Sequence, residues 1–429
     1  MNVFGIAAAV ALLILLIYKK VSLIPASIPC VLVLCVSNGA SFTELMADHY
    51  AVSLGDFIRK YFLVFVSNAL FGKIMEETLL AAAFSQMIGK AFGDKNAVFG
   101  AMLATALLSY GGVSVFVIVF TVYPIFLSTF RKADLPGRLM PACIMSSSCT
   151  FPLSMLPGGA QLNNIIPSQY IGTSPMAAPV TGLICSLTAV LFLVLYFNHE
   201  FNKARRRGEH FQADETRLKQ TNASCQDAGV KPWLSVLPLA FIIILINFFG
   251  VELVYAVFSG CLLALIIGWR NLKDKLGTLN RGAQLIAPAM VTTAVSVGFG
   301  GAVLGCAGAR TILDFISSLP VNPVISLGLA CAFAGSMTGN GGGGADVAMN
   351  LLSAQYLAMG VGPQLLHRIA AIATAGFSCL PNNGMLITII NTCGYTAKDS
   401  YKDIFISTVL CSFVSLAMAI LLGCAGFEI

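Results

Sequence analysis

The chain has 429 residues, of which 57% are hydrophobic and only 10% charged, with a net charge of +6. A soluble domain carries about 25% charged residues, so this chain cannot coat a soluble surface of its size, and most of its exterior must face lipid. The positive excess sits in short connecting segments, which fits membrane orientation and not a nucleic-acid footprint.

The first apolar run covers residues 3–18. No basic region precedes it, and Lys19 and Lys20 follow it, so it reads as a spanning helix and not as a cleaved leader. Further long, nearly uncharged runs cover 176–197, 233–249, 253–268 and 404–425. A spanning helix needs about 20 apolar residues, with roughly 17 as the lower limit. The shortest runs span only with snorkelling flanks or a locally thinned bilayer.

The stretch 199–232 is the one long hydrophilic segment and carries Lys203, Arg205, Arg206, Arg207, Arg217, Lys219 and Lys231. It reads as a flexible cytoplasmic linker between a first repeat, 1–198, and a second, 233–429, the two forming one integral membrane domain. Arg270, Lys273, Lys275 and Arg281 place 270–281 inside as well, so the second half begins and returns inside. In the first half Lys19 and Lys20 lie inside, while 38–56 hold Glu44, Asp48 and Asp56 without Lys or Arg. That half begins and returns outside. Two similar halves of opposite orientation make an inverted-topology repeat. Phe71-Gly72 with Phe299-Gly300, Gly111-Gly112 with Gly341-Gly342, Arg138 with Arg368 and Pro157 with Pro381 recur in the same order in the two halves.

Four interrupted regions punctuate the apolar segments. They are Ser109–Ser114 around Gly111 and Gly112, Thr150–Thr173 through Leu156-Pro157-Gly158-Gly159, Ser336–Asp346 through Gly341–Gly344, and Ser378–Thr392 through Leu380-Pro381-Asn382-Asn383-Gly384. Proline removes a backbone donor, and glycine lets the chain turn. At membrane depth such breaks persist where protein or a water-filled cavity satisfies the freed groups. The N–H groups opening the second half of a broken helix attract an anion. Four successive glycines are expected not to stay helical, at about 1 kcal/mol each.

These patterns predict a substrate site near the midplane. Ser154, Gly158, Gly159, Asn163 and Asn164 come from one break, Asn382, Asn383, Gly384 and Thr388 from the other, and Thr338, Asn340, Gly111 and Gly112 complete it. Asp346, an acid beside an apolar segment, is the first candidate for a coupling-ion site. Glu76 is the second, although Lys73 with Glu77 at i, i+4 reads as an ion pair. Arg138 and Arg368 read as headgroup anchors at membrane boundaries.

The chain resembles the gluconate permease (GntP) family of the ion transporter superfamily. The resemblance rests on SYGGVSVFVIVFTVYP (109–124), ADLPGRLMPA (133–142), LPGGAQLNNIIPSQYIGTSPMAAPVTG (156–182), LHRIAAIATAGFSCLPNNGMLITII (366–390) and GYTAKDSYKDIF (394–405). It implies an all-α polytopic membrane protein with an inverted repeat, discontinuous helices and re-entrant hairpins. It also implies homodimerisation and proton-coupled uptake of gluconate, hydroxybutyrate or a related small organic acid across the cell's inner membrane. The family's second break reads Asp-Ser-Leu-Pro-His-Asn-Gly, whereas here Ser378-Cys379-Leu380-Pro381-Asn382-Asn383-Gly384 lacks both the acid and the histidine. Such a change points to a smaller or less hydroxylated acid. Sodium coupling and a passive anion channel are the alternatives.

No enzyme is expected: the sequence has no HExxH motif, nucleophile elbow or clustered acid pair, and no Walker A motif for ATP-driven transport. The 13 cysteines lie scattered in apolar segments without a CxxC, and the four histidines are far apart. No metal site or cofactor is expected. The expected partners are a small organic anion, the coupling proton or sodium ion, lipid and a second copy of the chain.

Overall fold

In the computed structural model, residues 3–19, 21–93, 96–211, 231–380 and 383–427 are described. Helices α1 (Val3–Tyr18) and α2 (Leu23–Asn38) show why the apolar runs fold as they do. Ile6, Ala9, Leu13 and Ile17 form a buried stripe at helical spacing, facing Ala26, Cys30, Val31 and Leu34. Phe4, Leu15, Ile24, Leu32 and Val36 point outward, as lipid-facing residues do.

The first half continues through a π-helical turn, Leu45–Ala51, into α3 (Val52–Glu77), then α4 (Leu80–Phe92), α5 (Ala97–Tyr110) and α6 (Val115–Lys132). A hairpin follows: α7 (Met140–Cys149), a broken stretch, and α8 (Leu162–Ile171). The half closes with the long α9 (Pro179–Arg206). The helix therefore extends into the hydrophilic stretch: 199–206 are helical, and of the remainder of the expected linker 212–230 lie outside the described residues.

The second half repeats this order. It comprises α10 (Val236–Phe249), α11 (Leu253–Gly268), α12 (Lys275–Gln284) running into α13 (Ile286–Gly305), α14 (Ala307–Ser317), α15 (Pro323–Thr338) and α16 (Gly341–Ala358). Its hairpin is α17 (Pro363–Ala375) and α18 (Gly384–Cys393). The closing helix consists of α19 (Ala397–Phe405), a π turn and α20 (Cys411–Cys424). The closing helices of the two halves, Pro179–Arg206 and Ala397–Cys424, each run 28 residues and are apolar enough to cross a membrane.

Packing partners exchange between the halves as a pseudo-two-fold axis requires. The central pair is α3 with α13. Limb α8 packs on α16 and α17, and its counterpart α18 packs on α6 and α7. Helices α9 and α20 pack on each other. The second limb of each hairpin is thus held by the other half. The fold class read from the sequence, an all-α polytopic bundle with repeated halves and discontinuous helices, is the one observed.

Lipid gives no hydrophobic drive between helices, so close approach depends on small residues. Gly344 on α16 lies so near α15 that an added Cβ would stand 2.7 Å from the Gly335 Cα. This contact explains one departure from expectation. The glycine run Gly341–Gly344 is helical, as the first turns of α16, and the break falls one step earlier at Gly339 (φ 62°) and Asn340. The intrinsic cost of the glycines is offset by the packing that only they allow, and by Asn340, whose Oδ1 accepts from the Gly343 N–H at 3.1 Å.

Candidate functional site

Four helices begin at one cavity. Their N-cap residues are Ser114 for α6, Gln161 for α8, Asn340 for α16 and Asn383 for α18. All four line a cavity of about 140 Å³. The set is symmetric: α6 corresponds to α16, and α8 to α18. The remaining wall comes from the central pair, with Val64, Phe65 and Asn68 on α3 and Ile286, Ala289, Thr292 and Thr293 on α13.

Each N-terminus is made by a local break. Gly112 (φ 91°) ends the turn after α5. Between α7 and α8, Thr150 leaves helical geometry (φ −108°, ψ −106°), and a π turn through Pro152 leads to an extended stretch from Leu156. Tyr110 braces that stretch by donating to the Pro157 carbonyl at 2.6 Å. On the other side α17 tightens into a 3-10 turn, Gly376–Cys379, and Asn383 caps α18 by accepting from the Met385 N–H at 2.9 Å.

Among the described residues, the lining holds no Asp, Glu, Lys, Arg or His. Its polar groups are amides, hydroxyls and helix N-termini. Two amide atoms facing it are buried without a hydrogen-bond partner among the described residues, Asn68 Oδ1 and Asn163 Nδ2. A buried unpaired amide group costs about 1–3 kcal/mol, so these atoms call for a polar partner, water included. Ser378, Asn163 and the Gly341 backbone meet closely there. A Cβ on Gly341 would fall 2.2 Å from Ser378 Oγ and 2.7 Å from Asn163 Nδ2.

Of the residues read from the sequence, Gly112, Asn163, Asn340 and Asn383 line the cavity. Asn382 lies outside the described residues. Gly384 opens α18 directly after the Asn383 cap, and Thr388 follows one turn along the same helix. Thr338 is drawn into the α15–α16 turn, donating to the Gly335 and Asn340 carbonyls at 3.0 Å each. Gly111 packs against α10, where a Cβ would meet Leu239 Cδ2 at 2.4 Å. Gly158 is fixed by its N–H to the Pro175 carbonyl at 2.9 Å and by Asn247, and the Gly159 carbonyl accepts from Asn164 at 3.1 Å.

Asn164 and Ser154 belong to a buried lock around Arg368. This guanidinium is fully buried and donates to the Ser154 carbonyl (2.9 Å), Asn164 Oδ1 (2.9 Å) and the Ala177 carbonyl (3.1 Å from Nε). His367 beside it bonds Thr173 at 2.7 Å and Asn164 at 3.2 Å. The headgroup-anchor reading of Arg368 is therefore corrected: it staples the hairpin link from within. Arg138 is corrected likewise, since it pairs with Asp403 at 2.9 Å and Glu209 at 3.0 Å.

Glu76 stands apart from the cavity lining. It bonds Lys73 at 3.1 Å, in a ladder that continues through Glu77 (3.2 Å from Lys73) to Arg281 (3.1 Å from Glu77). Asp346 lies one turn along α16 from the lining residue Gly342. It accepts from Tyr61 and Tyr170 at 2.9 Å each.

Sequence reasoning did not single out Asn68, Ser114, Gln161, Thr292, Thr293 or Ser378. Ser114, Gln161 and Ser378 fall inside the interrupted regions, so the signal was at hand. Asn68, Thr292 and Thr293 sit on continuous helices and carry no local signal.

No family model matches the chain. It is 28% identical to the "uncharacterized transporter YxjC" of Bacillus subtilis (strain 168), over 96% of each sequence. Its fold is shared with the crystal structure of the Alcanivorax borkumensis YdaH transporter, whose topology is described as unusual. That match has a TM-score of 0.59 and 14% identity, covering 90% of this chain and 88% of the other.

Proposed function

We propose that the protein is a secondary active transporter of a small organic carboxylate, coupled to protons, in the cell membrane. The observation that carries this reading is the convergence of four helix N-termini, capped by Ser114, Gln161, Asn340 and Asn383, on a cavity whose described lining carries no fixed charge. Each N-terminus contributes the equivalent of about half a positive charge. Together they favour an anion, without the permanent cation that would hold it too tightly for release. The unpaired atoms Asn163 Nδ2 and Asn68 Oδ1 suit a ligand that both accepts and donates, such as a hydroxy acid. A cavity of about 140 Å³ suits a molecule of several carbons. The resemblance to gluconate permeases supports gluconate, hydroxybutyrate or a related acid.

A thermal-shift screen of the purified protein against gluconate, 3-hydroxybutyrate and lactate, with glucose as the uncharged control, tests the substrate class. Stabilisation by a carboxylate and none by glucose is the expected result. No shift with any carboxylate overturns it. Uptake into proteoliposomes under an imposed pH gradient, with and without sodium, tests the coupling. Uptake driven by sodium alone replaces the proton with sodium, and uptake that never exceeds equilibrium makes the protein a channel.

A further inference from the structure

The two unpaired amide atoms of the cavity stand at different ends of the short segment that leads into α8, and they differ in kind. Asn163 is 3% exposed, and its Nδ2 is a donor without an acceptor among the described residues. It meets the start of α16, where the Cβ place of Gly341 lies 2.7 Å from Asn163 Nδ2 and 2.2 Å from Ser378 Oγ. The Gly343 and Gly344 N–H groups are taken by Asn340. Those of Gly341 and Gly342 open the helix and have no acceptor within it. This end of the cavity presents donors.

The other atom, Asn68 Oδ1, is an acceptor without a donor among the described residues. It faces the turn before α6: the Cβ place of Gly112 lies 3.7 Å from Asn68 Oδ1 and 3.2 Å from the Ala160 Cβ. The donors around that turn are spent. The Gly112 N–H goes to the Ser109 carbonyl at 2.9 Å, and the Ala160 N–H goes to the Tyr110 carbonyl at 3.2 Å. The Gln161 side chain donates to the Ser109 carbonyl as well. Ala160 and Asn163 are three residues apart, so their Cα atoms are separated by at most about 11 Å. A ligand of a few carbons spans the two ends.

We propose that Asn68 selects acids with a hydroxyl on the chain beyond the carboxylate: the carboxylate lies against the Gly341 and Gly342 N–H groups with Asn163 and Ser378, and Asn68 Oδ1 accepts from the hydroxyl. The proposal rests on the transport reading above and assigns the two ends of its ligand. An ionised carboxylate only accepts, so it suits the α16 end and not Asn68 Oδ1. Its bonds there are charge-assisted and the stronger ones, and they fix the orientation. A hydroxyl supplies the donor that Asn68 Oδ1 lacks. Water can serve that atom in the unliganded protein, but an acid without a hydroxyl expels the water and returns no donor. A site built to bond a hydroxyl rejects the analogue that lacks it, because its own polar group is left unpaired.

The test compares three acids of four carbons on the full-length protein in detergent: racemic 3-hydroxybutyrate, butyrate and acetoacetate. Acetoacetate carries an oxygen at the same carbon as 3-hydroxybutyrate, but as a ketone that only accepts. Apparent dissociation constants come from the dependence of melting temperature on ligand concentration. The unaltered protein is expected to bind 3-hydroxybutyrate about tenfold or more tighter than either of the others, the worth of one stranded buried acceptor. In Asn68→Leu the three acids are expected to bind within about twofold of one another. In Asn163→Ala all three are expected to weaken and the preference to remain. If Asn68→Leu cannot be purified folded, the acetoacetate comparison in the unaltered protein decides. Acetoacetate or butyrate binding as tightly as 3-hydroxybutyrate, a preference that survives Asn68→Leu, or one that vanishes in Asn163→Ala overturns the proposal and leaves the carboxylate reading standing. Binding of none of the three acids overturns both.

Discussion

Arg138 and Arg368 stand at equivalent places, each at the start of one hairpin, and each bonds the segment that follows the opposite hairpin. Arg138 reaches Asp403 on α19 at 2.9 Å. Arg368 reaches the Ala177 carbonyl just before α9 at 3.1 Å. The surroundings differ. The Arg138 side chain is 28% exposed and pairs with acids, whereas Arg368 is wholly buried on carbonyls and an amide.

That asymmetry predicts unequal losses on truncation. Arg368→Met takes the guanidinium donors from the Ser154 and Ala177 carbonyls and leaves Asn164 Oδ1 with His367 alone, at about 1–3 kcal/mol for each stranded carbonyl before relaxation. A total loss of about 3 kcal/mol or more is expected. Arg138→Met removes partly solvated ion pairs and should cost about 1 kcal/mol. Thermal unfolding of both variants in detergent checks the order. Equal shifts would mean that the Arg368 bonds are replaced by water.

Asn163 and Asn164 are adjacent in sequence and opposite in role. The Nδ2 of Asn163 has no partner among the described residues, so Asn163→Ala deletes a group unsatisfied there. The unliganded protein should keep its stability or gain slightly, while carboxylate affinity falls about tenfold or more, the worth of one charge-assisted bond. Asn164 holds the Gly159 and Pro175 carbonyls (3.1 and 2.9 Å) and accepts from Arg368. Asn164→Ala should cost about 2–4 kcal/mol on the same scale. Paired melting curves with and without gluconate distinguish the two outcomes.

The spans and the breaks were legible because their signals are local. The runs 3–18 and 253–268 became helices with those limits, and each of the four interrupted regions delivered a helix N-terminus to the cavity. Gln161 escaped notice because glutamine is a weak N-cap by preference; it is placed there by its side chain, which donates to the Ser109 carbonyl. The glycine run was misread because propensity prices each glycine alone, whereas the close approach of Gly335 to Gly344 is a property of two helices. Arg368 was misread for the same reason: its carbonyl partners are all more than 190 residues away in sequence.

Segment 209–211 is tied to the turn before the first hairpin by Asp134, which accepts from the Phe211 N–H at 3.0 Å and bonds His210 Nδ1 at 2.7 Å. The His210 side chain and the Phe211 N–H hold the Asp134 carboxyl below the usual range. A depressed carboxyl contributes its full stabilisation above the ordinary value, near 3.9, and loses it as pH falls through the lower folded value. The tether should therefore hold from neutral pH down to about 4 and loosen only below that. Limited proteolysis after Phe211 with pepsin, at pH values from 4 to 2, should accelerate as pH falls. Asp134→Asn should cleave fast throughout, and a rate independent of pH in the unaltered protein would remove the tether.

Two glycines of the α16 run separate packing from binding. At Gly344 an added Cβ would stand 2.7 Å from backbone, the Gly335 Cα, and a backbone neighbour cannot swing aside. Gly344→Ala should therefore push α15 from α16 and cost about 1–3 kcal/mol, visible as a lower melting temperature. At Gly342 the nearest neighbour is the Leu162 Cβ at 3.5 Å, an ordinary contact, so Gly342→Ala should fold with unchanged or slightly raised stability, alanine being the better helix former. Gly342 lines the cavity, however, and its new methyl group would occupy space the carboxylate needs. Stabilisation by gluconate should then be lost in Gly342→Ala and retained, from a lower baseline, in Gly344→Ala. A Gly342→Ala protein that still responds fully to the ligand would move the binding site off the α16 N-terminus.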